Sequence, residues 1–210
     1  MPLSPKIIEL RQILAERYPQ QTVAPALCIP TGWAPLDSLL GGGLPKGAIT
    51  QFLIPNTSSG GATILHEIID AMQGIPVALI DSKDCFEPVA DHPLLLWIRC
   101  SNVLQALKAT DLILRDSNLS LAILDFKETP DKELRKIPAT AWYRFQRITE
   151  ENRSALLTLT RHPIVNSAQI TISTMHRFYI DDLASQRADL LKYISLEITR
   201  SRTRQEYQYA

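Results

Sequence analysis

The chain has 210 residues, of which 45% are hydrophobic and 21% are charged, as is typical of one globular α/β domain with short appendages. Lysine plus arginine number 22 and so do aspartate plus glutamate, so the overall charge gives no argument for nucleic-acid binding. The three cysteines are scattered, which argues against a disulfide framework or a zinc cluster. Without a signal-peptide block or an apolar run of membrane-spanning length, we expect a cytoplasmic protein with no membrane partner.

The first thirty residues predict a helix and a connector. Ser4 is the expected cap and Pro5 the first residue of an amphipathic helix over residues 4–18. Residues 20–30 have no periodicity and contain proline, as in a connector. We therefore divide the chain into residues 1–30, a helix and linker, and residues 31–210, one domain. The apolar stripe of the helix either packs on that domain, the usual arrangement, or binds a partner.

Residues 31–65 predict a glycine-rich lead-in, a strand over 48–54, a turn, and a helix that continues to about residue 72. A phosphate loop would occupy this turn. Such a loop needs Gly-x-x-x-x-Gly-Lys-Ser/Thr, because backbone N–H groups hold the phosphates, the lysine neutralises them and the hydroxyl binds Mg²⁺. The turn of this chain contains Ser58, Ser59, Gly60, Gly61, Ala62 and Thr63.

The lead-in over residues 31–47 matches Thr-Gly-x-x-x-Leu-Asp-x-x-Leu-Gly-Gly-Gly-Leu-Pro-x-Gly and resembles the start of the RecA recombinase core. The resemblance implies a RecA-like P-loop NTPase fold of the α/β class. We expect a mostly parallel central sheet flanked by helices, with antiparallel C-terminal strands. The loop departs from the pattern, because Gly61 takes the lysine position and Ala62 the hydroxyl position. A register that uses the hydroxyl of Thr63 puts Ala62 in the lysine position, so we interpret the loop as a structural relic.

Two further positions argue against catalysis. The strand over 76–81 extends the resemblance and would place the family's catalytic glutamate on Lys83, whose protonated amine cannot act as a general base. The strand over 119–125 ends in Asp125, which aligns with the Walker B carboxylate and would be vestigial without the loop lysine and hydroxyl. We therefore expect no enzymatic activity and neither ATP nor Mg²⁺ as a cofactor. The open alternative is a DNA-stimulated ATPase that takes its lysine from Lys46, Lys83 or a neighbouring subunit.

The remaining pattern continues the alternation of strands and helices. Strands are predicted over residues 94–99, 154–160 and 168–174, the last of them half-buried because it alternates. A helix is predicted over residues 102–114, with apolar positions at Val103, Leu104, Leu107, Leu112 and Leu114. The histidine at position 162 has no serine or cysteine placed beside it, so we interpret it as structural.

A helix that starts after a proline and ends near residue 152 places Trp142, Phe145 and Ile148 on one stripe, with Arg144 and Arg147 facing away. Aromatic residues interleaved with arginines can bind a protein or a nucleic acid. The same stripe is also typical of a helix that faces its own core.

Residues 190–204 predict a last alternating strand whose end carries Arg200, Arg202 and Arg204. Alternate positions of a strand project from one face, so these arginines would form a positive ridge for DNA phosphates or an acidic partner. The alternative is a charged edge strand that prevents aggregation.

Several segments of the second half resemble ImuA, a group of RecA-related bacterial mutagenesis proteins often labelled SulA-like. They are the Trp-x-Arg-Phe-Gln-Arg-x-x-Glu-Glu helix, the segment SALLTLTRHPIVNSAQI, the Arg177-Phe178 pair and the closing LEITRSRTR. This resemblance implies an accessory protein of translesion synthesis in the SOS response to DNA damage. Its implied partners are an ImuB-like polymerase homologue, a mutagenic replicative-type polymerase and RecA.

We therefore interpret the chain as a non-catalytic adaptor that binds through its surfaces. Three alternatives stay open: the DNA-stimulated ATPase, a recombinase-like DNA-binding module that uses the arginine ridge, and a cell-division inhibitor of the SulA type. The sequence makes no prediction of the oligomeric state.

Overall fold

The computed structural model describes residues 28–72, 74–88, 92–116 and 118–202. The helix predicted over residues 4–18, most of the connector, and Arg204 lie outside these residues. Within the described part of the chain, every helix is too short or too polar to cross a membrane.

The described strands are β1 (Cys28–Ile29), β2 (Leu44–Pro45), β3 (Ala48–Leu53), β4 (Val77–Asp81), β5 (Leu95–Arg99), β6 (Leu121–Asp125), β7 (Ala155–Thr160), β8 (Ile170–Thr174) and β9 (Leu196–Ser201). The last seven form one sheet in the order β5-β4-β6-β7-β3-β8-β9, and β1 pairs with β2 in a separate antiparallel ribbon. In the large sheet only β9 is antiparallel to its neighbour. This confirms the predicted α/β class with a mostly parallel sheet.

The described helices are α1 (Ala34–Leu40), α2 (Gly61–Ala71), α3 (Val103–Leu114), α4 (Asp131–Leu134), α5 (Ala139–Asn152) and α6 (Arg187–Tyr193), with a 3-10 turn at Ile180–Ala184. α2 packs with one set of alternating strand residues, and α3 and α5 pack with the other set, so each face of the sheet has its own apolar core. Burial on both faces explains why β3, β4, β6 and β7 are continuous apolar runs in the sequence.

The lead-in is held together by its own hydrogen bonds and packs against the end of α2. The carboxylate of Asp37 accepts hydrogen bonds from the Thr31 backbone N at 2.7 Å, the Thr31 hydroxyl at 2.7 Å and the Gly32 N at 3.2 Å. A Cβ added at Gly32 would lie 2.1 Å from the Cβ of Ala71, the last residue of α2. The threonine, glycine and aspartate of the motif therefore have structural roles that need no nucleotide.

The structure corrects two predicted strands. β8 is buried at all five positions instead of alternating, because it lies between β3 and β9 and is covered on both faces. The strand predicted from residue 190 begins only at Leu196, because the preceding residues form α6. Leu191 is buried on that helix, and Arg187 forms an ion pair with Asp70 of α2. Tertiary packing against α2 thus decides the conformation of a segment whose pattern resembled a strand.

Two other predictions are wrong in detail. Cys28 and Ile29, which we predicted to lie in an irregular connector, form β1. On α3, Leu104 and Leu112 occupy predicted apolar positions but are each 71% exposed. The helix buries Ala106, Thr110 and three of the predicted residues instead.

The connection from β7 to β8 consists of residues 161–169 and crosses β3 without a helix. A crossover between parallel strands usually needs a dozen or more residues. This one is held by Val165 and Ala168, which are buried in the same core as α5, and by the Ser167 hydroxyl, which donates to the Trp142 carbonyl oxygen at 2.9 Å. Residues 161–169, which belong to the segment SALLTLTRHPIVNSAQI, therefore have a structural role in stabilising this short crossover.

The close approach at Gly32 is testable with Gly41 as its matched control. Both glycines have a left-handed φ, 74° and 71°, but an added Cβ at Gly41 meets no atom within 4 Å. We expect Gly41→Ala to lower the free energy of unfolding by about 1 kcal/mol, the cost of the backbone conformation. Gly32→Ala should cost about 2 kcal/mol more, because Ala71 must move. Urea unfolding followed by circular dichroism measures both, and equal losses would contradict the close packing.

Candidate functional site

The degenerate loop lies at the carboxyl ends of the parallel strands. It connects β3 to α2, and the register of the sheet places Asp81 at the end of β4 directly opposite Asp125 at the end of β6. Ligands of open parallel sheets bind at this edge, so the fold brings together the loop and the Walker B-like residue as the sequence predicts.

The space above Gly60 is filled by the chain's own hydrocarbon. Gly60 has a left-handed φ of 78°, and an added Cβ would lie 2.7 Å from Ile194 Cδ1 and 2.8 Å from Phe178 Cε2. The backbone N of Phe178 donates to the Ser58 carbonyl oxygen at 2.8 Å. The segment that follows β8 therefore lies across the loop, and the loop glycine is a packing surface for it.

The lysine position of the loop is crowded by Ile54 and by another lysine, Lys127. A Cβ added at Gly61 would lie 2.9 Å from Lys127 Cδ and 2.7 Å from Ile54 Cδ1. The ammonium group of Lys127 donates to Asp125 Oδ2, and the Lys127 backbone N donates to Asp125 Oδ1 at 2.9 Å. Both side chains are mostly buried, with 14% of Lys127 and 6% of Asp125 exposed. Lys127 thus supplies a cation to Asp125 from the end of β6, while its stem fills the place of a loop side chain.

Lys83, which the resemblance aligns with the catalytic glutamate, is also engaged. Its ammonium group donates to both carboxylate oxygens of Glu133, at 3.0 and 3.1 Å. Lys46 lies before β3, at the opposite end of that strand from the loop. Neither of the two lysines that the sequence offered as substitutes is placed at the loop.

Further ion pairs neutralise the same edge of the sheet. Arg161, directly after β7, lies 2.7 Å from a carboxylate oxygen of Glu128, and His162 Nε2 lies 3.1 Å from Asp131 Oδ2. Their partners, like Glu133, belong to the segment between β6 and α5. Three buried residues fix that segment in place: Phe126, Thr129 and Leu134. Lys83, Lys127 and Arg161 at this edge are therefore each paired with a carboxylate of the same chain, and His162 lies beside another.

Two cavities flank Lys127. The larger, of about 410 Å³, lies between α2 and residues 85–88, and the smaller, of about 70 Å³, lies beside the loop and Arg161. In the larger cavity, burial, Arg187 and Lys127 lower the pKa of His66 against the opposing effect of Asp70. Burial, helped by nearby carboxylates, raises the pKa of the Cys85 thiol. The raised pKa keeps Cys85 a thiol at neutral pH, so it is not an activated thiolate nucleophile.

The residues at this edge do not fit a magnesium nucleotide. Position 61 has no side chain to contact a phosphate, position 62 has no hydroxyl, and the carboxylate of Asp125 is already bound by Lys127. Burying a triphosphate without a compensating cation costs more than a helix amino end can return, since that effect is about 0.3 to 1 kcal/mol. We therefore derive no chemical step through ATP or Mg²⁺.

The prediction that Trp142 contacts a partner or DNA is wrong. It is 1% exposed and packs edge-on against Phe126 and Phe145, with ring centroids 6.5 and 6.0 Å apart. The stripe of α5 faces the core, which is the alternative that the sequence left open. The exposed aromatic side chain on this helix is Tyr143, at 53%.

The arginine candidates are at the surface, in two separate places. On α5, Arg144 pairs with Asp111 of α3 at 2.9 Å, and Arg147 pairs with a glutamate one turn later at 2.8 Å. On β9 and just after it, at one edge of the sheet, Arg200 and Arg202 are exposed, and Arg200 donates to the Asn166 carbonyl oxygen at 3.2 Å. A register shift in the β8–β9 pairing separates Ile198 from Arg200, so strict alternation does not hold along β9.

Sequence reasoning missed Lys127, Phe178 and Ile194. Lys127 had a usable signal, because a cation two residues after a buried aspartate is well placed to pair with it. No local signal identifies Phe178 or Ile194 as neighbours of Gly60, since they are more than 100 residues away in the chain.

Comparison with known proteins supports a RecA relationship. No family model matches the chain. It is 32% identical over 117 residues to RecA of Saccharopolyspora erythraea, 34% over 110 residues to RecA of Clavibacter michiganensis and 31% over 117 residues to RecA of Streptomyces coelicolor. These matches cover 52%, 49% and 52% of this chain but only 34%, 30% and 31% of the respective proteins. The chain is thus homologous to RecA at low identity, and spans about a third of the length of these curated relatives.

The crystal structure of the RadB recombinase has the same fold. It superposes with a TM-score of 0.55 and 16% sequence identity, covering 69% of this chain and 81% of that one. The RecA-like fold expected from the lead-in is confirmed.

The Lys127–Asp125 pair predicts a strong stability effect. We expect Lys127→Met to lower the free energy of unfolding by about 3 kcal/mol, because it leaves a buried carboxylate without its cation. The double variant Asp125→Asn/Lys127→Met should lose less than Lys127→Met alone, because the stranded charge is gone. Lys192→Met, which breaks an exposed pair with Asp189, is the control and should change stability little. Urea unfolding measures all of them, and a double variant with a lower free energy of unfolding than Lys127→Met would contradict the pairing.

Proposed function

We propose that this chain is a RecA-fold protein that works without nucleotide, as an adaptor in translesion synthesis after DNA damage. The observation that carries the proposal is the position of Lys127. Together with Ile54, its stem crowds the place where a side chain at position 61 would begin, and its ammonium group donates to the Walker B-like carboxylate of Asp125. In this proposal the protein acts through its surfaces. Ion pairs within the chain occupy the carboxyl edge of the sheet, where a RecA-fold enzyme would carry its catalytic residues.

The partners in this proposal come from the ImuA resemblance. They are an ImuB-like polymerase homologue, a mutagenic replicative-type polymerase and RecA, all in the cytoplasm. Homology to RecA over about half of the chain supports a place in DNA metabolism. The exposed Arg200 and Arg202 offer a separate, small contact for DNA phosphates.

A second candidate is an ATPase with a relocated lysine, and one observation favours it. Lys127 and Arg161 both line the small cavity next to the loop, so two cations stand near the place where phosphates bind in this fold. Phosphates that bound there would compete with Asp125 for Lys127 and with Glu128 for Arg161. We rank this candidate second because the Lys127–Asp125 pair is mostly buried, so the loss of its cation would be costly for Asp125.

Nucleotide affinity separates the two candidates. We expect equilibrium titration of ATP with Mg²⁺ to show no saturable binding up to about 1 mM, which corresponds to about 4 kcal/mol. The relocated-lysine candidate instead predicts saturable binding that is lost in Lys127→Ala. Arg177→Ala, an exposed cation on the segment across the loop, is the control for general loss of charge. Tight binding by the wild-type protein that disappears only with Lys127 would overturn the adaptor proposal.

The adaptor proposal predicts retention of its partners without nucleotide. Immobilised protein should retain the ImuB-like polymerase homologue and RecA equally well with and without ATP and Mg²⁺. Lys83→Ala, which changes the former catalytic edge, should leave that retention unchanged. Failure to retain either protein would remove the proposal, and retention that requires ATP would favour the ATPase.

A further inference from the structure

The outer face of α3 carries an unexpected apolar ridge. Leu104, Lys108 and Leu112 follow one another at i, i+4 and i+8, so they lie along one side of the helix. The two leucines are each 71% exposed and lie about 12 Å apart along the axis. A helix that is apolar on its outer side as well as its inner side has a second surface to cover.

Positive charge surrounds this ridge. Arg115 of α3 and Arg144 of α5 pair with the same carboxylate, that of Asp111, at 3.0 and 2.9 Å. Lys108 stands between the leucines and is exposed. Two of these three cations, Arg115 and Arg144, share the single carboxylate of Asp111, so the group keeps a net positive charge. The next acid along the chain, Asp116, is exposed just after the helix, where its Oδ1 accepts hydrogen bonds from the backbone N and the side-chain Nδ2 of Asn118.

We propose that this α3 face, made of Leu104, Lys108, Leu112, Arg115 and Arg144, binds an acidic amphipathic helix of another protein. Leucines at this spacing fit between the apolar residues of a docked helix, and acidic flanks would meet the three cations. The proposal rests on the adaptor function and names the chemistry of one partner element.

The charge and apolar character of the α3 face favour an acidic amphipathic helix over a second copy of the chain, a nucleic acid or the N-terminal segment. A second copy of the chain would bring the same positive face against itself, which is repulsive. A nucleic acid would meet the cations but would leave both leucines unused, because a phosphate backbone has no apolar surface. The amphipathic stripe over residues 4–18 carries three cations and two acids, so it is not complementary either.

The test uses a designed peptide of about 18 residues, with leucines on one helical stripe and glutamates elsewhere. The comparison probes are the same peptide with lysines for the glutamates, and an oligothymidylate of about 20 nucleotides. The variants are Leu104→Ser/Leu112→Ser and Lys108→Glu. Ile180→Ser is the matched control, because that side chain is 85% exposed on a different element.

We expect the glutamate peptide to bind and the lysine peptide not to bind. The double serine variant and Lys108→Glu should each weaken binding about tenfold or more, while Ile180→Ser should not. Binding that none of the variants changes, or no binding at all, overturns the proposal. So does tighter binding of oligothymidylate that Lys108→Glu abolishes, or a dimer in sedimentation that the double serine variant dissociates.

Retention of the polymerase homologue and RecA by the same variants separates this proposal from the adaptor function. Retention lost only in the α3 variants supports both. Retention by every variant overturns the α3 face and leaves the adaptor standing. Peptide binding without retention of either protein supports the α3 face and overturns the adaptor.

Discussion

The carboxylate of Asp125 lies almost wholly inside the protein, and a buried carboxylate needs a cation close by. In a working nucleotide site of this fold, the metal ion that this carboxylate helps to hold supplies that charge. Here Lys127 supplies the charge from the same strand end, and its stem takes up the room beside Gly61. The same side chain, Lys127, therefore neutralises Asp125 and fills the space beside the loop.

This arrangement explains why the lead-in is intact while the loop is not. Thr31, Gly32 and Asp37 hold each other and the end of α2, and those contacts are independent of any ligand. The lysine and hydroxyl of a phosphate loop have no such structural duty. The residues that support the fold thus lie in the seventeen positions of the lead-in. The positions that would bind a nucleotide lie in the turn after β3.

Much of the fold follows from the sequence, because apolar runs and helical spacing are local. The strands around β3, β4, β6 and β7, the helix after the loop, and Asp125 at a strand end all follow from such patterns. The contacts that close the site do not. Phe178 and Ile194 reach Gly60 through the sheet order, which no local pattern contains. The sequence pattern predicts a strand from residue 190, where α6 is still helical, and a core position for Leu104, which is exposed, because burial depends on which element lies opposite.

The packing around Gly60 and Gly61 has a consequence for the history of such a site. A mutation that restored a lysine at position 61 would place its Cβ against Ile54 and Lys127, and so would meet an overpacked wall. Removal of Lys127 first would leave Asp125 uncompensated. A lysine at position 61 and the removal of Lys127 are therefore each expected to lower stability when made alone, so the residues around the loop make these two substitutions depend on each other.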